Sequence, residues 1–248
     1  MKIVSLNVEG ISRYELTLPF LESSRADVIC LQEATPLYEE SLGKLGYKVE
    51  FLPSCTKTVG TDTFVDGILI ASKHKASFAT HRYFVFPEQD LPSENRHSTS
   101  ERNGRHCGLI LATVQYNATA YLIGTTHFTW TPDGHKPNEA QQTDMVSFLN
   151  YTKKQSPHIM LGDFNIPRGH NHLYEKLTTI YTDAVPPNYQ TSLDKELHRC
   201  GTDPSKNHLF EKFMVDYIFT QSPYRAENVS LKFGLSDHAA IIADVIKG

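Results

Sequence analysis

Eleven short apolar runs constrain the fold of this chain more than any other feature of its sequence. Each run has the length and residue types of a β-strand and is bounded by polar, Gly or Pro residues. None reaches the roughly 18 consecutive apolar residues that indicate a membrane-spanning helix. The runs predict strands at residues 2–8, 27–32, 47–52, 64–72, 77–86, 106–116, 119–128, 157–162, 213–220, 227–233 and 239–246.

Helical patterns are fewer and lie between the strand candidates. Thr35 followed by Pro36, with Gly46 beyond, has the cap chemistry of a helix at 36–45. Two further helices are predicted at 137–154 and 170–179. Many strands with few helices predict an α/β (α+β) fold in which two packed, mainly antiparallel β-sheets are flanked by helices.

The length and composition bound the organisation of the chain. No shift of composition marks a linker, so we expect residues 1–248 to form one domain. Two polar stretches, 87–105 and 186–211, are longer than ordinary connections, and loops of that length are either mobile or functional.

The charge balance limits the partners. Lys and Arg total 24 against 28 Asp and Glu, and the net charge of -4 gives no global attraction to nucleic acid or to an anionic membrane. Any polyanion must therefore be recognised locally. The four cysteines form no CxxC pair, and the first residues read as a strand rather than a signal peptide. We expect a soluble, cytoplasmic protein without stable membrane association.

Polar residues stand at the ends of several apolar runs. Carboxylates, carboxamides and imidazoles are the groups that hold a hard divalent cation and move protons. Taken singly, each has a structural explanation, such as a solvated charge at Glu33 or a turn residue at Asn7. Together they predict one metal-dependent site that contains Asn7, Glu33, His127, Asp163, Asn165, Asp216, Asp237 and His238.

Two of these groups carry a local argument. Asp163 and Asn165 follow an apolar run and, in extended backbone, would place both side chains on one face; the alternative is an Asx turn. Asp216 lies inside the apolar run 213–220, where a carboxylate needs a partner, and His238 is a natural one. His127 alone is more often a structural residue.

The order and spacing of these segments resemble the endonuclease/exonuclease/phosphatase superfamily. The resemblance rests on Ser5-Leu6-Asn7, Leu31-Gln32-Glu33, Thr126-His127, Gly162-Asp163-Phe164-Asn165, Val215-Asp216-Tyr217 and Ser236-Asp237-His238. It implies a four-layer α/β sandwich and hydrolysis of phosphate esters with Mg²⁺, for which Mn²⁺ can substitute.

The resemblance also implies roles for the residues. Glu33 would be the main metal ligand, with Asn7 and Asp237 as helpers. Asp163 and Asn165 would handle the water, and His238, oriented by Asp216, would contact the phosphate or move a proton. Asp163 and His238 are rival candidates for the general base, because coupled groups cannot be separated by sequence.

His127 bears on the branch of the superfamily. Deoxyribonuclease-like, sphingomyelinase-like and tyrosyl-DNA phosphodiesterase-like members have a His at this position, whereas apurinic endonucleases have a Tyr. The chain resembles the tyrosyl-DNA phosphodiesterase and bacterial metal-dependent hydrolase branch in three of four motifs, but has Ser5-Leu6-Asn7 where Thr-Trp-Asn would stand. Arg168 is a candidate substrate-phosphate contact, with a solvated loop charge as the alternative.

These observations predict a Mg²⁺-dependent phosphodiester hydrolase that acts on nucleic acid as a nuclease or end-processing enzyme. One alternative is a lipid or small-molecule phosphodiesterase or phosphatase of the sphingomyelinase or inositol phosphatase kind. Another is a non-catalytic binding protein on the same fold.

Overall fold

The computed structural model describes residues 1–87, 90–94, 101–132 and 134–248, and within them twelve strands form two six-stranded sheets. The first sheet has the order β11-β12-β1-β2-β4-β3 and the second the order β5-β6-β7-β8-β10-β9. The strands are β1 Lys2–Asn7, β2 Val28–Ala34, β3 Lys48–Val59, β4 Asp62–Ser72, β5 Ala76–Phe84, β6 Cys107–Tyr116, β7 Thr119–His127, β8 Ile159–Asp163, β9 Thr182–Asp183, β10 Asp216–Thr220, β11 Tyr224–Lys232 and β12 Ala240–Lys247.

Five α-helices accompany the sheets in the described residues. They are α1 Tyr14–Ser24, α2 Pro36–Lys44, α3 Glu139–Gln155, α4 Leu173–Thr178 and α5 Asn207–Lys212, with 3₁₀ turns at Glu101–Gly104 and Pro204–Lys206. None of the helices in the described residues has the length and apolar character needed to cross a membrane. All four cysteines are free.

Alternating residues of the inner strands face two different hydrophobic clusters. In β1, Ile3 packs into the cluster that both sheets share, whereas Val4 packs into the cluster that contains residues of α1 and α2. Met145 and Phe148 of α3 join the shared cluster through the second sheet. The sheets therefore pack face to face between helices, which confirms the predicted sandwich.

The strand directions place the polar strand ends together. Eight of the ten strand pairings are antiparallel, and β1–β2 and β7–β8 are parallel. Parallel pairing brings the carboxyl ends of neighbouring strands to one edge, so His127 lies beside Asp163 and the end of β1 lies beside Gln32. Antiparallel pairing then sets the start of β10, Asp216, opposite Asp163.

Several elements differ from the sequence-based expectation. α1 was not expected, and its interior Pro19 explains why, since Pro normally marks a helix boundary. β3 continues past Pro53 to Val59 through a register shift with β4, well beyond the predicted end at residue 52. The two-residue β9 and helix α5 lie in stretches where no element was expected.

The loop expected at 87–105 is only partly within the described residues, because 88–89 and 95–100 lie outside them. Its described part pairs with β3. The Thr56 N–H donates to the Pro92 carbonyl and the Glu94 N–H donates to the Thr56 carbonyl, both at 2.8 Å. This pairing brings Glu94 to the site described next.

Candidate active site

Glu33 is placed by a bulge near the end of β2. The pairing of β2 with β4 shifts register between Leu31 and Ala34, and the Glu33 backbone has a φ of 52°. A non-glycine residue in the left-handed region is uncommon, and bulges re-aim side chains next to functional sites. The bulge turns the carboxylate of Glu33 into the pocket that it lines.

Glu33 belongs to a buried network of two cations and three carboxylates. The Lys57 ammonium contacts Glu33 Oε2 and lies 2.8 Å from Asp66 Oδ2 and 3.7 Å from Glu94 Oε1. Arg105 contacts Asp66 and lies 3.0 Å from Glu94 and 4.0 Å from Glu33 Oε1. Because unpaired charges are very costly to bury, the five groups depend on one another.

The network sets the ionisation of its members. Burial alone would raise the pKa of Glu33, but Lys57 and Arg105 outweigh it and hold that pKa well below its usual value. Burial raises the pKa of Asp66, although Arg105 and Lys57 oppose the change. Glu33 is therefore a carboxylate at neutral pH.

Asn7 joins the two sheets at the site. Its amide donates to Asp163 Oδ2 at 3.2 Å and, more weakly, to Glu33 Oε1 at 3.5 Å. Its carbonyl oxygen accepts the Glu9 N–H at 3.2 Å. Nearby, buried Gln32 donates to Thr125 Oγ1 at 3.1 Å, which is a second bridge between the sheets.

Asp163 ends β8, and the chain turns immediately after it. The Asn165 N–H donates to Asp163 Oδ1 at 2.9 Å, its side chain donates to the Phe128 carbonyl at 2.9 Å, and its φ is 51°. The backbone is thus an Asx turn, the second of the two alternatives that the sequence leaves open for this segment. Asn165 instead fixes one oxygen of Asp163 and leaves the other, Oδ2, beside the histidines.

His238 and Asp216 form a buried pair. His238 Nδ1 lies 2.7 Å from Asp216 Oδ2, and the Ser192 hydroxyl donates to the same oxygen at 2.6 Å. His238 Nε2 lies 3.8 Å from Asp163 Oδ2. Burial would lower the pKa of His238, but Asp216 and Asp163 outweigh it and hold that pKa well above its usual value. The imidazole is therefore protonated at neutral pH.

His127 has the opposite ionisation. Its Nε2 lies 3.5 Å from Asp163 Oδ2, whereas its buried Nδ1 has no hydrogen-bond partner among the described residues. Burial, assisted by Arg105, lowers the pKa of His127 to about 4. Burial and the neighbouring Asp216 raise the pKa of Asp163. One protonated and one neutral imidazole thus flank the same carboxylate.

The site opens into a pocket of about 320 Å³. Glu33, His127, Asp163, Asn165, Asp237 and His238 all line it, together with Glu9, Glu94 and Arg105. The volume lies at the lower end of the range for small-molecule sites.

Asp237 and Arg168 have different surroundings. Asp237 lines the pocket and accepts a hydrogen bond from Ser236 Oγ at 3.1 Å. The Arg168 guanidinium lies 2.6 Å from Asp183 Oδ2 and donates to the Val185 carbonyl at 3.1 Å. These contacts favour a structural role for Arg168, and its role in substrate binding stays a prediction.

Among the described residues, one cluster of carboxylates and histidine has ligand atoms close enough to share a metal, and the sequence predicts a second set. Asp163, Asp216 and His238 have ligand atoms within 4.8 Å of one another. Within this cluster, Asp216 Oδ2 and His238 Nδ1 already bond to each other, whereas His238 Nε2 faces Asp163 Oδ2 at 3.8 Å. Glu33, Asn7 and Asp237, the set expected from the sequence, offer hard oxygen donors of the kind that Mg²⁺ prefers.

Sequence reasoning did not identify Lys57, Asp66, Glu94, Arg105 or Ser192. One signal was present, because Asp66 interrupts the apolar run 64–72 just as Asp216 interrupts 213–220. A buried carboxylate in such a run requires a cation or hydrogen-bond donor. Its partners are distant in sequence, so only the fold reveals them.

Comparison with known proteins gives a family match over nearly the whole chain. The sequence model described as "Endonuclease/Exonuclease/phosphatase family" matches residues 4–238. A search of curated proteins gives no match.

Solved structures share the fold at low sequence identity. An endonuclease/exonuclease/phosphatase family protein from Leptotrichia buccalis is 19% identical with a TM-score of 0.70, and 99% of each chain is covered. The human Nocturnin catalytic domain with bound sulfate is 17% identical with a TM-score of 0.67, covering 100% of this chain and 94% of that one. D. rerio TDP2 in complex with a single-strand DNA product is 18% identical with a TM-score of 0.64, covering 100% and 99%.

Proposed function

The chain belongs to the endonuclease/exonuclease/phosphatase family, and from this premise we propose that it is a divalent-metal-dependent phosphodiester hydrolase that acts on nucleic acid. Members of this superfamily hydrolyse phosphoric esters. The observation that carries the proposal is the pairing of Asp216 with His238, which lines one pocket together with Asp163 and Glu33. We also propose that residues 1–248 act as one domain.

The residues around Glu33 fit a hard divalent cation. Glu33 is ionised, and only its Oε2 is in close contact with Lys57; Oε1 has longer contacts, at 3.5 Å to Asn7 and 4.0 Å to Arg105. Asp237 lines the same pocket. Mg²⁺ uses few protein carboxylates and keeps several waters, which suits one main ligand with Asn7 and Asp237 as helpers. When bound, the ion would neutralise charge on a phosphate oxygen.

In the proposed mechanism the Asp216–His238 pair supplies a proton, and the Asp163 carboxylate positions the water. Asp216 holds the Nδ1–H of His238, so a protonated His238 presents Nε2–H to a phosphate oxygen or to the leaving oxygen. Asp163, fixed by Asn165 and Asn7, is the candidate for orienting the attacking water. The raised pKa of His238 favours the acid role for it and leaves the base role to Asp163. His127, neutral, is the second donor or acceptor at the phosphate.

The pocket and the charge favour a short nucleic-acid segment or end as substrate. A volume of about 320 Å³ admits one nucleotide unit, and the net charge of -4 does not support an extended footprint. The TDP2 neighbour is complexed with single-strand DNA, which supports the same class. The small volume equally suits a small phosphate ester, which remains the second candidate.

Hydrolysis assays on a substrate panel test the proposal. The panel holds single-stranded DNA, RNA, a 5′-phosphotyrosyl oligonucleotide, an inositol phosphate and sphingomyelin, each with Mg²⁺, with Mn²⁺ and with chelator. We expect cleavage of a nucleic-acid substrate that chelator abolishes and that His238→Ala lowers by at least about 100-fold.

The matched control is His172→Ala, which removes an exposed histidine outside the pocket lining and should leave the rate unchanged. Cleavage of only the inositol phosphate or sphingomyelin would establish the small-molecule or lipid alternative. Absence of cleavage on the whole panel would support the alternative of a non-catalytic binding protein on the same fold.

A further inference from the structure

A second part of the pocket wall carries rings and cations that the proposed chemistry does not use. Trp130, His208 and Phe213 line the pocket there, and so do Arg199 and Lys206. None of their side chains is assigned to water or proton transfer. Their chemistry is that of a surface on which a planar, anionic ligand stacks.

The rings form a pre-arranged stack. Phe213 is only 5% exposed, and His135 meets it edge-on with ring centroids 4.7 Å apart and an interplanar angle of 82°. His208 then stacks on His135 at 5.6 Å and 22°, and His170 meets His135 edge-on at 5.3 Å. Buried Phe213 therefore anchors a stack whose outer ring, His208, is exposed to solvent.

The stack is tied directly to the catalytic histidine pair. The Phe213 carbonyl accepts the Ser192 N–H at 3.2 Å, and the Ser192 hydroxyl holds Asp216 at 2.6 Å. Leu193, the next residue, forms a bridge with His238. His238 and His208 line the same pocket, which lets one ligand contact both.

We propose that this ring stack binds the heterocyclic base of the nucleotide whose phosphate lies at His238. The inference rests on the proposed function, because it takes the phosphate site from it and adds the nucleoside side. Imidazole faces stack on a flat base regardless of its sequence, since every base presents a π-face. The exposed Arg199 and Lys206 suit the phosphates that flank a nucleotide.

A base explains the wall better than an acyl chain does. An acyl chain needs contiguous apolar surface, whereas here imidazole, ammonium and guanidinium groups interrupt the exposed wall and the apolar Phe213 is covered by His135. The volume of about 320 Å³ is enough for one nucleotide unit.

Binding measurements test the proposal without turnover. Trp130 is the one tryptophan of the chain and lines this pocket, so its fluorescence reports on occupancy. Adenosine 5′-monophosphate and ribose 5-phosphate, which differ by the base alone, are titrated in the presence of chelator, with calorimetry as the second readout. We expect the nucleotide to bind at least about 5-fold more tightly than the sugar phosphate.

Three variants test whether His208 causes the tighter binding of the nucleotide than of the sugar phosphate, which is the base-dependent gain. His208→Ala should abolish the gain, whereas His208→Phe, which keeps a flat ring, and His172→Ala, outside the pocket, should retain it. Equal binding of the two ligands to the wild-type protein would overturn the proposal, as would a gain that survives His208→Ala. A base-dependent gain without hydrolysis of any panel substrate would instead refute the proposed function and leave the base site standing.

Discussion

Replacement of Lys57 by Met tests whether the charge network beneath the site is structural. The Lys57 side chain is 2% exposed and its ammonium contacts Glu33 and lies 2.8 Å from Asp66, which is fully buried. Lys57→Met keeps most of the side-chain volume but removes the charge. Three carboxylates then share the single cation of Arg105.

The size of the loss follows from burial. Removal of one partner from a buried ion pair costs about 3–5 kcal/mol, because the remaining charge is left uncompensated. Arg105 still contacts Asp66 and lies 3.0 Å from Glu94, so we take the lower end, about 3 kcal/mol. For a chain of this size each kcal/mol lowers Tm by about 2–4 °C, which gives a decrease of about 6–12 °C.

Lys44→Met is the matched control. Lys44 forms an ion pair with Glu40 at 2.5 Å on the surface of α2, where the two side chains are 73% and 61% exposed. Exposed pairs of this spacing contribute little because water screens them, so Tm should fall by no more than about 2 °C. Circular dichroism melts compare the two variants. A Tm for Lys57→Met within 2 °C of the wild-type Tm would show that the network does not stabilise the fold.

The remaining predictions concern the site itself. Glu33→Gln should weaken Mn²⁺ binding, measured by calorimetry, by at least about 10-fold because the main carboxylate loses its charge; unchanged affinity would place the metal elsewhere. Asp216→Ala should lower kcat by about 10–100-fold with little change in metal affinity, because His238 loses the partner that orients it; unchanged turnover would disprove the pair. In NMR titrations of metal-free protein, His238 should stay protonated through neutral pH while His127 stays neutral down to about pH 4. Since the unfolded chain protonates His127 near pH 6.5, this residue makes the fold less stable as the pH falls from about 6.5 to about 4, and His127→Gln should flatten that part of the stability profile.

The sandwich was predictable because its signal is local. Apolar runs of strand length specify both sheets, and alternation along β1 assigns Ile3 and Val4 to opposite faces. The sequence pattern does not indicate helix α1 because Pro19 interrupts it, and it does not extend β3 past Pro53 because that continuation depends on pairing with β4. Both errors arise where tertiary packing overrides local propensity.

The site was predictable to the extent that each residue breaks a local pattern. Asp216 stands out as a charge within an apolar strand, and the structure pairs it with His238 as expected. Lys57 and Arg105 do not stand out, because cations near strand ends are common on surfaces. They are important because three carboxylates lie close to them in the folded chain, and no spacing in the sequence indicates these contacts.

The pairing of the first strand with the last determines when the site can come into being during synthesis. β1 pairs with β12 from Lys2 opposite Asp244, and His238 directly precedes β12. Until that stretch leaves the ribosome, Asn7 and Glu33 are present but His238 is missing. We therefore expect a nascent chain to lack the complete candidate site until translation has passed His238 and β12 can pair with β1.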